Sequence, residues 1–452
     1  MHVAVLDIGK TNAKVALVDT DTMSELDVVT RPNTVRPGPP YPHFDVEGIW
    51  EFLLESLSIF EAKHGIDRIS VTTHGATFVL LDGVGKLATP VMDYEFTGPE
   101  ELAHAYDALR PNFSETGSPR LPVGLNAGAQ LHWLLKTQVG LRGRVRQVVS
   151  YPQYWSGRLT GHFTNELTSL GCHTDLWNPH TAGFSTLVAA LGIEDKMAPL
   201  ALAGDIAGAI LPEIAEITGL AEETPVMSGI HDSNASLLPH LRQMDGPFSV
   251  VSTGTWVVSM AVGGAPVVLD PFRDALINVN GLGNPTPSAR FMGGREFEQM
   301  KREIAAPTAE DVERVLNERH FLLPAVQTGS GPFPNRPGGW SNASMTPGEK
   351  NVALSWYLAL MTAECLAMIG ARGPSIVEGP FARNIDFIAM LEAATDRPVQ
   401  LSHSATGTSI GASLLADCGA IPAPATRAPE VYRLNELKEY AQHWFGEVNT
   451  AA

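Results

Sequence analysis

The chain has 452 residues, 44% of them apolar and 18% charged, which excludes a disordered polymer and is more than one ordinary core holds, so two domains are expected. Thirty-one Lys and Arg against 49 Asp and Glu leave a net charge of −18, which excludes a broad electrostatic surface for nucleic acid. Cys172, Cys365 and Cys418 are too few and too far apart for a disulfide framework or a metal-ligand spacing, and suit a reducing compartment.

In chain order, the N-terminus has no basic segment and its apolar run stops at Asp7, so a signal peptide is not expected and a cytoplasmic protein is. His2–Leu6 and Lys14–Val18 read as strands joined by Asp7-Ile8-Gly9-Lys10-Thr11-Asn12. Gly9 is expected to supply the backbone freedom of a tight turn. The turn amides, the Thr11 hydroxyl and the Lys10 charge suit polyphosphate oxygens, although a plain surface hairpin has the same pattern. Ala4-x-x-x-x-Gly9-Lys10-Thr11 also meets the loose P-loop spacing. Positions 5, 6 and 8 are Val, Leu and Ile, and a β-branched run follows where a P-loop needs a helix, so that match is accidental.

Five prolines in residues 31–45 mark a loop, and Ile49, Phe52, Leu53, Leu57 and Phe60 give Asp45–Lys63 a helical period. Ile69–Thr73 is a strand ending at His74-Gly75-Ala76-Thr77, before a second strand, Phe78–Leu81. His74, at a strand end beside a glycine, suits a hydrogen bond to a sugar hydroxyl, while a lone histidine is more often structural. Asp93 and Glu95 add carboxylates after a short strand. From Leu131 to Leu159 the pattern is helix, basic turn, strand, then Tyr151-Pro-Gln-Tyr-Trp155, whose rings suit core packing or the lining of a sugar pocket. Helical segments are expected over 181–222. Pro225–Ser228 is a buried strand that delivers Gly229-Ile230-His231-Asp232 at its C-terminal end, the edge where open α/β sheets bind ligands. A helix starts there, so Asp232 can serve as its cap as well as a reactive carboxylate.

Phe248–Val251 and Trp256–Met260, joined by Thr253-Gly254-Thr255, repeat the opening hairpin where a second domain should begin. Segments 281–294 and 329–347 are expected as loops. Val352–Ala371 is nearly all apolar, but Glu364 near its middle would cost about 2.5 kcal/mol or more in a bilayer, so a buried helix and no membrane partner are expected. Ile376–Gly379 is a strand leading into a turn, Asn384–Ala394 a helix, Ser409–Ala416 a small-residue helix, and Glu430–Phe445 an amphipathic surface helix.

These turns, in this order from Val3 to Ala416, resemble the FGGY carbohydrate kinases of the actin-like ATPase superfamily. The likeness is to the rhamnulokinase branch through Gly75-Ala-Thr-Phe-Val-Leu-Leu-Asp82, Gly229-Ile-His-Asp232 and Thr253-Gly-Thr-Trp256. A His-Asp pair followed by Gly-Thr-Trp is more specific than either turn alone. The resemblance implies an α/β chain of two ribonuclease-H-like domains with a cleft between them, residues 1–242 on the sugar side and 243–452 on the nucleotide side. It implies ATP and Mg²⁺ as cofactors, a small-molecule sugar as the other partner, no nucleic acid, and a monomer or homodimer. By the same match Asp232 is the catalytic base, and His74, Gly75, Thr77, His231, Ser233 and Asn280 lie at the sugar. Lys10, Thr11, Asn12, Ala13 and Lys14 form the first phosphate loop, Gly254 and Thr255 the second, Gln299 and Gly379 lie on the nucleotide side, and Asp7 holds the metal.

Two departures bear on specificity. The branch has Trp-Gly-x-Asp where this chain has His74-Gly75-Ala76-Thr77, so one sugar-contacting carboxylate is missing. The choice among L-rhamnulose, L-fuculose and a ketopentose such as xylulose or ribulose stays open. Gly379-Pro380-Phe381 stands at the family's glycine-rich adenosine turn. Of other classes, an actin-like nucleotide-gated chaperone or filament protein would share both hairpins but has no need of His231-Asp232. A ribonuclease-H-like nuclease using Asp7 and Asp232 as metal ligands is opposed by the acidic charge.

Overall fold

The computed structural model describes residues 1–402, 407–416 and 433–450; Cys418 and the start of the tail helix, Glu430 to Tyr432, lie outside them. The chain divides into two compact units. Unit 1 takes Met1–Gln243, Ile277–Pro285 and residues 407–416, and unit 2 takes Met244–Leu276 with residues 286–402 and 433–450.

Unit 1 is built on a sheet of β1 (His2–Ile8), β2 (Asn12–Asp19), β3 (Ser24–Pro32), β4 (Arg68–Thr73), β5 (Ile206–Ala209), β6 (Pro225–Met227) and the short β7 (Ile230–His231). Its order is β5-β6-β4-β1-β2-β3, with β7 paired to β4. β1, β2 and β3 form an antiparallel meander, while β4 joins β1 in parallel with Ile8 opposite Thr73. Side chains of β1 alternate between two apolar faces. Ala4, Leu6 and Ile8 pack with Ile49, Leu53, Leu57 and Phe60 of helix α1 (Val46–His64). Val3 and Val5 point the other way, onto Ala235 and Leu238 of a later helix and onto Ile410 and Ala412. Asp45 caps α1 by accepting from Gly48 N at 3.2 Å.

Tyr151–Thr160 forms helix α2, so the aromatic stretch is core, with Tyr151 and Trp155 buried. The helical segments expected over 181–222 are instead short pieces. Helices Thr186–Leu191 and Pro212–Thr218 alternate with strands, and β5 pairs antiparallel with β6. Gly192, Pro199, Gly204, Gly208 and Pro212 interrupt the segment too often for one long helix. Beyond β7 the chain enters helix α3 (Asp232–Gln243).

Unit 2 repeats the plan. Its sheet consists of β8 (Phe248–Thr253), β9 (Val257–Val262), β10 (Ala275–Val279, of which Ile277 onward is assigned to unit 1), β11 (Pro285–Phe291, whose first residue is too), β12 (Ser375–Glu378) and β13 (Val399–Leu401), in the order β10-β11-β9-β8-β12-β13. β8, β9 and β11 run antiparallel, and β12 and β13 add in parallel, as β4 and β6 do in unit 1. The α/β class with two ribonuclease-H-like domains is therefore the architecture found. β11 occupies part of the expected loop 281–294, because Pro285 to Phe291 alternates in burial and pairs with β9. Helix α4 (Gly293–Met300) follows.

The apolar segment is helix α5 (Pro347–Met368), the one helix among the described residues long and apolar enough to cross a bilayer. It is a core helix of unit 2, buried against α6 (Ile385–Thr395) and α7 (Leu434–Thr450). A reciprocal cap starts it: Thr346 Oγ1 accepts from Glu349 N at 3.1 Å, and Glu349 Oε2 accepts from Thr346 N at 3.0 Å.

Candidate active site

In unit 1 the candidate residues come from three strand ends. At the end of β1, Gly9 N donates to Asn12 O at 2.9 Å, and Asn33 Nδ2 donates to Gly9 O at 2.8 Å. Gly9 makes this turn without a positive φ. Its missing Cβ matters because one would sit 3.1 Å from the Asn12 carbonyl. Thr11 and Asn12 are exposed, whereas Ala13 is buried in the α1 core and offers a ligand only its backbone. Lys14 Nζ lies 3.6 Å from Asp7 Oδ2 and 3.5 Å from Glu25 Oε1. Burial lifts the Asp7 carboxyl to about 6; Lys14 pulls it down and the negative charge of Asp232 pushes it up.

The second strand end is β7. Gly229 adopts φ +100°, and Gln153 Nε2 holds the bend by donating to the carbonyls of Ser228 (3.1 Å) and Gly229 (3.0 Å). His231 is buried, with its N donating to Thr168 Oγ1 at 3.0 Å, and Thr168 Oγ1 in turn donates to buried Glu166 Oε2 at 2.5 Å. His231 Nε2 lies 3.1 Å from Asp232 Oδ1. Burial pushes the His231 ring down in pKa, but Cys172 and Asp232 together outweigh it and the ring ends raised, favouring imidazolium. Asp232 opens α3, and its Oδ1 also accepts from Ser233 N at 2.6 Å and Ser233 Oγ at 3.3 Å. Ser233 thus orients the carboxylate, which remains 34% exposed and so open to a ligand.

The third is the turn after β4. His74 is buried among the rings of Phe44 (5.1 Å), Tyr151 (5.1 Å) and Tyr94 (5.4 Å). Burial lowers its pKa to about 4, leaving it neutral. Its Nδ1 donates to the Gly75 carbonyl at 2.9 Å, so Nε2 is the acceptor nitrogen, and it is buried without a partner. Thr77, expected at the sugar, is buried on the Nδ1 side of this ring, its hydroxyl 3.5 Å from that nitrogen. Gly75 gives way to His231: a Cβ there would lie 2.7 Å from His231 Nε2 and 3.4 Å from Cys172 Sγ.

Asn280 belongs to unit 1 through Ile277–Pro285. Its Oδ1 accepts from Leu282 N (2.9 Å) and Asn284 N (3.2 Å), and the next residue, Gly281, approaches Ile230 and Leu238. Lys10, expected in the first phosphate loop, has carboxylate and aromatic neighbours here. Its ammonium pairs with buried Asp93, lies 3.3 Å from Glu95 Oε2, and sits over the rings of Tyr94 (4.9 Å) and Phe44 (5.2 Å). Tyr94, Glu166, Thr168 and Cys172 escaped sequence reasoning; each reaches the group through a contact distant in sequence.

In unit 2, Gly254 N donates to Trp256 O at 2.9 Å, and Gly254 and Thr255 are exposed at the tip of the β8–β9 hairpin. Arg295 N, in the first turn of α4, donates to Thr255 O at 3.3 Å. Gly379 adopts φ +82°, and a Cβ there would collide with the Thr253 carbonyl. The Thr253 hydroxyl accepts from Phe381 N at 3.1 Å and donates to Glu378 O, tying the two turns together. Gln299 is exposed on α4, its Nε2 donating to Gln327 Oε1 at 3.1 Å. Among the described residues no three His, Cys, Asp or Glu side chains cluster as a metal site.

Residues 2–239 match the FGGY family of carbohydrate kinases, N-terminal domain, and residues 245–424 match the carbohydrate kinase FGGY, C-terminal domain. This chain belongs to the FGGY carbohydrate kinase family. The crystal structure of a carbohydrate kinase from Novosphingobium aromaticivorans is 36% identical, covers 99% of this chain and 98% of its own, and superposes with a TM-score of 0.93. An L-fuculokinase from Salmonella typhi is 25% identical over 270 residues, covering 58% of this chain and 57% of its own length. A rhamnulokinase from Bacteroides thetaiotaomicron is 24% identical over 233 residues, covering 50% of this chain and 47% of its own. The chain thus matches about half the length of these curated relatives. Within the FGGY family it carries His74-Gly75 beside His231-Asp232 in unit 1, and the Gly254-Thr255 turn in unit 2.

Proposed function

We propose that the chain is an ATP-dependent sugar kinase that phosphorylates the primary hydroxyl of a ketose, with L-rhamnulose ahead of L-fuculose, xylulose and ribulose. The observation that carries the reading is the His231–Asp232 pair at the start of α3, next to the unpartnered Nε2 of His74. A nucleotide-gated chaperone has no use for this polar group, and its ATP turnover would not depend on sugar.

In this reading His74 Nε2 accepts from a sugar hydroxyl, and His231 lies at the sugar while holding the Asp232 carboxylate. Asp232 accepts the proton of the primary hydroxyl as that oxygen bonds to the γ-phosphorus and the bond to the β-phosphate oxygen breaks, releasing ADP. The transition state is loose and charge-rich, so positioning and electrostatic stabilisation supply most of the rate. The amides and hydroxyls of Thr11, Asn12, Gly254 and Thr255 are our candidates for the phosphate oxygens, with Gln299 and Gly379 on the nucleotide side. Asp7 would hold Mg²⁺: burial and nearby Asp232 disfavour its charged form more than Lys14 favours it, and a dication would restore it. One such carboxylate with water and phosphate oxygens is how Mg²⁺ is ordinarily held, and there it would neutralise phosphate charge.

The test is a coupled ADP-release screen of the purified chain against ketoses and polyols. Release dependent on L-rhamnulose supports the full reading, release with another ketose corrects the sugar, and sugar-independent release overturns the kinase assignment.

A further inference from the structure

Lys10 is the residue whose surroundings its place in the sequence explains least. It follows Gly9 in a turn suited to phosphate, yet its ammonium is already matched by Asp93 and Glu95 and lies over Tyr94 and Phe44. Those two rings also flank His74, whose Nε2 is buried without a partner. Asp93 is itself held: its N donates to Pro42 O at 3.0 Å, and Glu95 N donates to its Oδ1 at 3.1 Å. Lys10 and Asp93 are both largely buried, with side chains 17% and 9% exposed, so this is a fixed pair and not a solvated surface contact.

Building on the kinase reading, we propose that Lys10 and Asp93 determine acceptor specificity, as a charged donor–acceptor pair that takes two neighbouring hydroxyls of a neutral polyhydroxylated acceptor. An ammonium offers three donors and a carboxylate about four acceptor sites, so each keeps capacity after pairing with the other. A vicinal diol, whose hydroxyls both donate and accept, can bridge them. The aromatic faces beneath the ammonium suit the C–H side of such a chain. Charge disfavours a sugar acid: Asp93 and Glu95 already surround Lys10, and Asp232 lies against His231, so an added carboxylate meets carboxylates at both places. Lys10 lies over Tyr94, whose ring meets His74, and both residues feel the charge of Asp232, so the pair and Asp232 border the same group of side chains.

The test uses the full chain and three variants: Lys10→Met, Asp93→Asn and the doubly substituted Lys10→Met/Asp93→Asn, in which no buried charge is left alone. Unliganded melting curves identify which are folded. With the ketose found by ADP release, each folded variant should raise the acceptor KM about tenfold or more and leave the ATP KM within about twofold. Deoxygenating the acceptor at one distal hydroxyl should cost the wild type a similar factor and cost Lys10→Met little. An ATP KM that rises while the acceptor KM stays put, or an aldonate used as well as the ketose, overturns the proposal. If the wild type shows no acceptor-dependent ADP release, the kinase reading fails on its own. Thermal shifts with the same ketoses and polyols then decide the pair: a ligand shift in wild type that Lys10→Met loses supports it, and equal or absent shifts overturn it.

Discussion

Cys172 Sγ lies 3.7 Å from His231 Nε2, the same nitrogen that lies 3.1 Å from Asp232 Oδ1. The thiol is buried, which alone would raise its pKa, but the imidazoles of His173 and His231 reverse the sign and draw it down. His231 thus meets a thiol and a carboxylate through one nitrogen, and both favour the charged form of its ring. Asp232 is thereby fixed from one side by His231 and from the other by the Ser233 amide, at the N-terminus of α3, where the helix dipole favours negative charge.

Asp232→Asn keeps this shape and removes the proton acceptor. Acceptor-dependent ADP release should fall about 10²–10⁴-fold. Nucleotide affinity, followed by calorimetry, should stay near wild type. Turnover at the wild-type rate would remove Asp232 from the chemistry.

Gly75→Ala places a methyl 2.7 Å from His231 Nε2. The ring must shift from its place 3.1 Å from Asp232, and overpacking of this kind costs about 1–3 kcal/mol. Steady-state kinetics should show kcat/KM for the acceptor reduced at least about tenfold, with the ATP KM little changed. An unchanged acceptor kcat/KM would mean the placement of His231 is unimportant.

Glu166 is buried and linked to His231 through Thr168, and burial lifts its carboxyl from 4.5 to about 7 despite hydrogen bonds from Thr168 and Ser169. The folded chain therefore holds this proton to higher pH than the unfolded chain does. The stability it contributes is full below about pH 4.5 and is lost as pH rises through about 7. Calorimetric Tm of wild type relative to Glu166→Gln should decline across that window and level off above it; a flat difference would place the ionisation elsewhere.

Gly379→Ala tests unit 2. A left-handed backbone at a non-glycine residue costs about 1–3 kcal/mol, and the collision with the Thr253 carbonyl adds to it. Tm should fall, and the ATP KM should rise by a larger factor than the acceptor KM. The reverse order would place this turn away from the nucleotide.

Much of the fold was legible because its signals are local. Each hairpin is a strand, a turn of small residues and a strand, and α1 and α5 announce themselves by period and by apolar length. The segment 181–222 was misjudged since its frequent glycines and prolines were outweighed by its apolar content. Within the site, His231, Asp232, His74 and Gly75 stand at strand ends, where a turn can be recognised from neighbours alone. Lys10 could not be placed that way. Its partner Asp93 is 83 positions on, so adjacency to Thr11 gives no sign of that contact. Cys172, 59 positions from His231, carried no spacing signal at all.

The helix Gly407–Ser413 also governs how the molecule must be made. It packs so closely on α3 that a Cβ on Gly411 would overlap the Ala235 carbonyl, and Ser70 Oγ donates to Ala412 O at 2.7 Å. Val3, Val5 and Ile230 are covered by residues translated roughly 160 positions after α3, about 10–30 s later at ordinary ribosome speeds. During that interval the nascent first half carries an apolar sheet face covered only in part, by Ala235 and Leu238 of α3, a natural place for a chaperone to hold it. A gene cut after residue 243 should consequently yield aggregated protein, rescued by supplying residues 407–416 in trans or by fusion.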